Sequence, residues 1–300
     1  MLLASLAILL LVGAGCGQAK SGASGSSGKA LRVVAAENFW GSIAAQLGGT
    51  KTEVVSLITS PATDPHDYEP TAADARTLAG AQLVIVNGIG YDPWAAKLLA
   101  ANPVSGRIVL DIGDLVGIKA GGNPHRWYSP GDVQRVIGAI EEDYTKLAPE
   151  DARYFARLRQ RFETRGLARY KQLISAIKRE YHGVAVGASE SIFAPLAQAL
   201  GLKLLTPYSF LKAISEGTEP TVADKTTIDN QIARRQIKVW VYNSQNSTPD
   251  VTRITDAARK QGIPVTTITE TLTPASASFQ DWQARQLQAL AAALAKATGR

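Results

Sequence analysis

Beyond residue 30 the chain alternates short apolar runs with stretches whose apolar positions recur every three or four residues. Leu31 to Ala36, Thr52 to Ile58, Leu83 to Asn87 and Arg107 to Asp111 read as strands, and Trp40 to Leu47, Thr71 to Leu78 and Trp94 to Ala101 as helices between them. Then the alternation stops. Ser129-Pro130 is an N-cap and first-turn pair for a helix running to about Leu147, and Pro149 restarts a helical pattern that Gly183 closes after about Tyr181. Tyr154, Leu158, Phe162, Tyr170, Leu173, Ile174, Ile177 and Tyr181 make one apolar stripe along it. Read as a single helix, this stretch spans roughly 45 Å at ~1.5 Å per residue. The earlier rhythm then returns. Strands are predicted at Val184 to Ala188, Lys203 to Leu205, Val239 to Tyr242 and Val265 to Ile268, and helices at Ile192 to Leu200, Thr226 to Arg235, Thr248 to Gln261 and Phe279 to Thr298.

Strands that alternate with helices imply parallel βαβ units with helices on both faces of the sheet. The predicted class is α/β: two lobes, each a mostly parallel sheet flanked by helices, joined by one long rigid helix. The predicted boundaries are 31–147 for the first lobe, 148–182 for the linking helix and 183–300 for the second. Three hundred residues, 45% hydrophobic and 19% charged, suffice for such a body. The formal charge of +6 is dispersed. Many of the basic residues lie between Arg153 and Arg179, interleaved with acids along one helix, which describes a solvated face rather than a nucleic-acid surface.

Residues 2–15 are apolar or small throughout, too short a run to span a bilayer comfortably but suited to a signal-peptide core, so residues 1–15 are expected to be a signal peptide. Gly13, Ala14 and Gly15 precede Cys16, the only cysteine, and resemble a bacterial lipoprotein processing site at which Cys16 becomes the lipidated first residue. Gly13 stands where leucine is usual and no basic residue precedes the apolar run, so a non-lipidated secretory signal or an upstream start stays open. Residues 16–30 are read as the lipidated cysteine and a Gly/Ser-rich tether. With one cysteine, no disulfide supports the fold.

Two segments fifty-nine residues apart nearly repeat each other: Asp64-Pro65-His66-Asp67-Tyr68-Glu69-Pro70 and Asn123-Pro124-His125-Arg126-Trp127-Tyr128-Ser129-Pro130. Each sets a histidine directly after a proline that stiffens its turn, and the chain has only three histidines. A pre-aimed imidazole suits metal ligation; an ordinary loop histidine is the alternative. His182, at a helix end before Gly183, reads as structural. In open α/β sheets ligands bind beyond the carboxyl ends of strands. Four residues there carry ligating chemistry: His66 and His125 in the first lobe, and Glu190 and Glu270 in the second. Two imidazoles with two carboxylates suit divalent first-row metals. Glu190 could instead serve as an N-terminal acid of the Ile192 helix, and Glu270 as an exposed loop acid. Tyr68, Trp127 and Asn87 are candidate supports for the ligands, or plain core and capping residues; Asp64 and Asp67 are weaker candidates.

These histidine loops, together with Ser189-Glu190 leading into Ile192-Phe193, the Glu216-Gly217-Thr218-Glu219-Pro220 segment and Thr269-Glu270-Thr271, resemble the metal-binding receptors of bacterial zinc/manganese ABC importers. The resemblance covers residues 31–300. It implies that His66 and His125 are first-lobe ligands, that Glu190 occupies a glutamate-or-histidine position, and that Glu270 stands where aspartate is usual; Asp281, inside the last helix, is a poor substitute. It further implies one divalent transition metal as cargo, an ABC permease as partner, no enzymatic activity, a monomer, and an extracytoplasmic site of action through an N-terminal lipid in the bacterial cell membrane. Manganese is favoured, zinc next and ferrous iron third, because the donors include no thiolate and residues 113–123 lack histidine. The rival readings are a secreted metallohydrolase, for which no His-Glu-x-x-His helix is present, and a surface adhesin, which nothing in these residues supports or excludes.

Overall fold

Two four-stranded parallel sheets with the same strand order organise the chain. The computed structural model describes residues 29–63, 65 and 68–300. Cys16, the signal segment and His66, with its neighbours Asp64 and Asp67, therefore lie outside the described residues. In the first sheet β1 (Leu31–Glu37) is followed by α1 (Asn38–Gly48), β2 (Thr52–Ile58), α2 (Ala72–Ala79), β3 (Leu83–Val86), α3 (Pro93–Ala101) and β4 (Ile108–Asp111), in the spatial order β2-β1-β3-β4. Two helices lead away from it, α4 (Ile112–Val116) and α5 (Pro130–Leu147). Ser129 caps α5 as expected, its hydroxyl accepting from the Asp132 amide.

The expected single spine is not what forms. The segment divides into α6 (Ala152–Arg161), a π-turn over Phe162–Gly166, and α7 (Ala168–Tyr181). The Leu167 amide donates five residues back to the Phe162 carbonyl at 2.8 Å. This wider turn puts Phe162 and Leu167, both buried, on the same side. The apolar stripe steps by five there, which an unbroken α-helix cannot follow. Gly166 accommodates the step: a Cβ on it would sit 2.9 Å from the Phe162 ring.

The second sheet repeats the first with β5 (Ala185–Ala188), α8 (Ala194–Leu200), β6 (Lys203–Leu204), α9 (Tyr208–Ser215), α10 (Val222–Ala233), β7 (Val239–Asn243), α11 (Pro249–Lys260), β8 (Val265–Ile268) and α12 (Phe279–Thr298), in the order β6-β5-β7-β8. Two helices, α4 and α9, have no counterpart in the sequence reading. Asp281 lies in the first turn of α12, its amide bonded to the Ser278 cap.

Side chains alternate across each strand, so each sheet faces two cores. Val34, Ala36, Val84 and Val86 pack outward under Leu78 and Trp94. Trp240 packs outward with Phe210, Ile228, Ile232 and Ile254. The inner faces, Val33, Ala35, Leu83 and Ile85 on one side and Val186, Val239 and Val241 on the other, belong to one continuous apolar core. α1, α5, α7 and α12 fill it with Phe39, Trp40, Val136, Ile140, Ile177, Phe279 and Leu287. The two lobes are therefore fused along a common interior. No helix among the described residues is long and apolar enough to cross a membrane.

Candidate metal centre

In both sheets the strand order reverses at the central pair, β1 with β3 and β5 with β7, and the crevice beyond their carboxyl ends is where such folds place ligands. The three described candidates meet there. His125 and Glu190 are almost wholly buried, and Glu270 is 9% exposed. His125 Nε2 lies 3.5 Å from Glu270 Oε1 across the lobes. The Asn243 amide nitrogen donates to Glu190 Oε2 at 3.2 Å and to Glu270 Oε1 at 3.1 Å. Glu190 precedes a short turn at Ser191–Phe193 but makes no side-chain cap to it, so capping is not its role. The burial of Glu270 removes the reading as an exposed loop acid. Among the described residues no three His, Cys, Asp or Glu side chains by themselves form a set that could hold a metal ion.

The tautomer of His125 follows from its partners. Asn123 Nδ2 donates to the Ser191 carbonyl at 2.7 Å, which turns Asn123 Oδ1 toward the histidine. That oxygen accepts from the His125 backbone amide and lies 2.9 Å from Nδ1. Nδ1 therefore carries the proton, and the Nε2 lone pair faces the Glu270 carboxylate. Nε2 has no hydrogen-bond partner among the described residues. A lone pair opposed to a carboxylate oxygen in a buried site is repulsive until a cation lies between them, so the donors fit a metal ion.

Aromatic packing fixes the imidazole. Trp127 meets it edge-on at 5.2 Å and stacks on Phe39 at 4.0 Å. Trp40 Nε1 donates to Asn87 Oδ1, leaving Asn87 Nδ2 to donate to the Pro124 carbonyl just before His125. Asn87 and Trp127 thus both support the histidine, whereas Tyr68 bonds Asp74 at the start of α2. His182 closes α7 beside Gly201 and takes no part.

The loop after β3 delivers a further donor. Gly88, Ile89 and Gly90 all have positive φ, an unfavourable conformation for β-branched Ile89 at 60° that costs roughly 1–3 kcal/mol. Gly88 is required, since a Cβ there would meet the Asp111 carboxylate at 2.3 Å. This loop aims the Tyr91 hydroxyl at Glu270 Oε2, to which it donates at 2.9 Å across the cleft. Asp92 secures the loop by accepting from the Asn87 and Gly88 amides at 2.7 and 2.8 Å. Burial raises the Asp92 carboxyl to about 6 against those two bonds. Glu37, at the end of β1, is raised well above the usual range, first by burial and then by the nearby Asp92 charge.

Sequence reasoning passed over Asn123, Tyr91 and Asn243. Asn123 opens the second histidine segment, and Asn243 ends a strand, so both carried a positional signal; Tyr91 carried none. Pro65, Glu190, Asn243 and Glu270 line one cavity of about 80 Å³, a chamber of the size of a small ion and a few waters.

A two-lobed parallel α/β body with nitrogen and oxygen donors gathered in the crevice defines an ion-binding receptor class, and comparison with known proteins agrees. The family model described as ZnuA, zinc-uptake complex component A, periplasmic, matches residues 33–293, and the chain belongs to that family. Manganese-binding lipoprotein MntA of Bacillus subtilis is 24% identical over 267 residues, 84% of this chain and 83% of that protein. Manganese-binding lipoprotein MntA of Halalkalibacterium halodurans is 24% identical over 157 residues, 49% of this chain and 50% of its own length, so that match spans only half of the relative. The Mn-bound periplasmic metal binding protein from candidatus liberibacter asiaticus has the same fold, with a TM-score of 0.73 at 19% identity over 88% of this chain and 99% of that one.

Proposed function

We propose that this protein is the extracytoplasmic receptor that captures one divalent transition metal and hands it to an ABC permease. The observation that carries this reading is that Glu190 and Glu270 line one cavity, with the His125 Nε2 of the other lobe set against Glu270 at 3.5 Å. His66 completes the set as the fourth ligand: it follows Pro65, which lines the same cavity. Each lobe then gives two donors, and the ion bridges 31–147 and 183–300 across the 148–182 connection. Cys16 anchors the chain to the membrane by its lipid, and the receptor works as a monomer. Mn2+ is the favoured cargo, with Zn2+ next and Fe2+ third; oxygen donors equal nitrogen donors and no thiolate is present, and the relatives described above are named for manganese while the family is named for zinc. The family is one of uptake components, which supports a carrier over a metallohydrolase.

Metal content and competition titrations test the reading. The wild-type chain should hold about one equivalent of Mn2+ or Zn2+, and His66→Ala with His125→Ala together should abolish stoichiometric binding. Affinity should fall as the solution is acidified, since a protonated imidazole cannot ligate. A double variant that retains full affinity overturns the site.

A further inference from the structure

We propose that the turn after β7 is a cross-cleft clasp that sets how long cargo stays bound, with Gln245 as its positioning residue; the inference rests on the receptor reading above. The side-chain amide of Gln245 is fully engaged. Its Oε1 accepts from the Thr271 amide at 3.0 Å, and its Nε2 donates to Thr271 Oγ1 at 2.9 Å and to the Pro61 carbonyl at 2.6 Å. Thr271 directly follows Glu270, whereas Pro61 belongs to the other lobe, on the strand-end segment that leads to His66. One amide thus ties the backbone beside a carboxylate to the backbone ahead of a histidine.

The same turn reaches both carboxylates. The Gln245 backbone amide donates to Asn243 Oδ1 at 3.0 Å, which turns Asn243 Nδ2 toward Glu190 and Glu270. The Asn243 backbone amide in turn donates to Ser189 Oγ at 3.0 Å, next to Glu190. Cleft opening on this rim must break the bond to Pro61. On the opposite rim Asn123 Nδ2 bonds the Ser191 carbonyl, so two side-chain amides bracket the cavity from either side.

Release of cargo passes through an open cleft, so losing the Gln245 link should speed dissociation by the full worth of one hydrogen bond, about three- to tenfold. Entry passes through the same open state, so association should not slow. The test uses the full chain loaded with Mn2+ and chased with excess EDTA in a stopped-flow instrument. Gln245→Ala and Gln245→Glu should both release metal about three- to tenfold faster than wild type, with association and metal-free melting temperature little changed. The glutamate variant keeps an acceptor for the Thr271 amide and can take a hydrogen bond from the Thr271 hydroxyl in place of the one given to it, whereas the Pro61 carbonyl has no donor left, so the bond across the cleft is the one that is lost. Release at the wild-type rate in both variants overturns the clasp. Fast release in Gln245→Ala alone, with Gln245→Glu at the wild-type rate, also overturns it, because the effect would then come from Thr271. A wild-type chain that holds neither Mn2+ nor Zn2+ overturns the receptor reading and takes the clasp with it.

Discussion

At His125 the ring nitrogen that faces Glu270 is selected two residues earlier, by Asn123, whose own orientation is set from the other lobe by Ser191. Removing such an outer partner frees the tautomer and the ring angle, and typically weakens a metal site about 10–100-fold. Asn123→Ala should show that loss in a chelator competition, and Asn123→Asp, which keeps the acceptor, should recover most of it. Glu37 supports a prediction of the opposite kind, since its carboxyl is wholly buried beside that of Asp92. Its folded-state pKa lies above its ordinary value near 4.5, so its contribution favours folding below that pH and is lost as pH rises. Glu37→Gln should therefore melt a few °C above the parent at pH 8, with the gap closing as pH falls toward about 4.5; parallel melting curves across that range would refute the assignment. The position of Glu190 and Glu270 at the crevice is legible because a strand end is a small target. The amides that orient them are not, because an asparagine has many roles and its partners come from distant parts of the chain.

At the scale of elements, every predicted strand is present, because Leu83–Val86 is an apolar run and Val265–Ile268 is β-branched throughout, each bounded by turn residues. The linking segment departs from one spine because its buried positions skip from Phe162 to Leu167, a residue outside the expected stripe, and 3.6-residue periodicity does not carry that step. That skip, with a glycine inside it, is the sequence mark of the π-turn. Gly166→Ala would force a methyl against the buried Phe162 ring and should cost about 1–3 kcal/mol in chemical denaturation, as overpacking does. The internal likeness of the lobes also runs deeper than their strand order: β3 leads directly into Asn87 and β7 ends in Asn243, and each asparagine steadies the candidate ligands of its own lobe.

For the whole molecule, the common interior is the feature the sequence could not show, since contacts such as Ser42 with Phe279 and Asn38 with Leu272 join residues more than two hundred positions apart. Lobes fused this way should unfold as one unit. Tryptophan fluorescence and far-ultraviolet circular dichroism should then give coincident denaturation midpoints, and two separated midpoints would show independent lobes. The fusion also limits how this receptor breathes. A jaw-like swing that exposed even ~200 Å² of apolar surface would cost ~5 kcal/mol and be populated about twice in ten thousand molecules. The floor behind His125, where Phe39 and Trp127 lie face to face, behaves as an anvil, and gating falls to the lips above it.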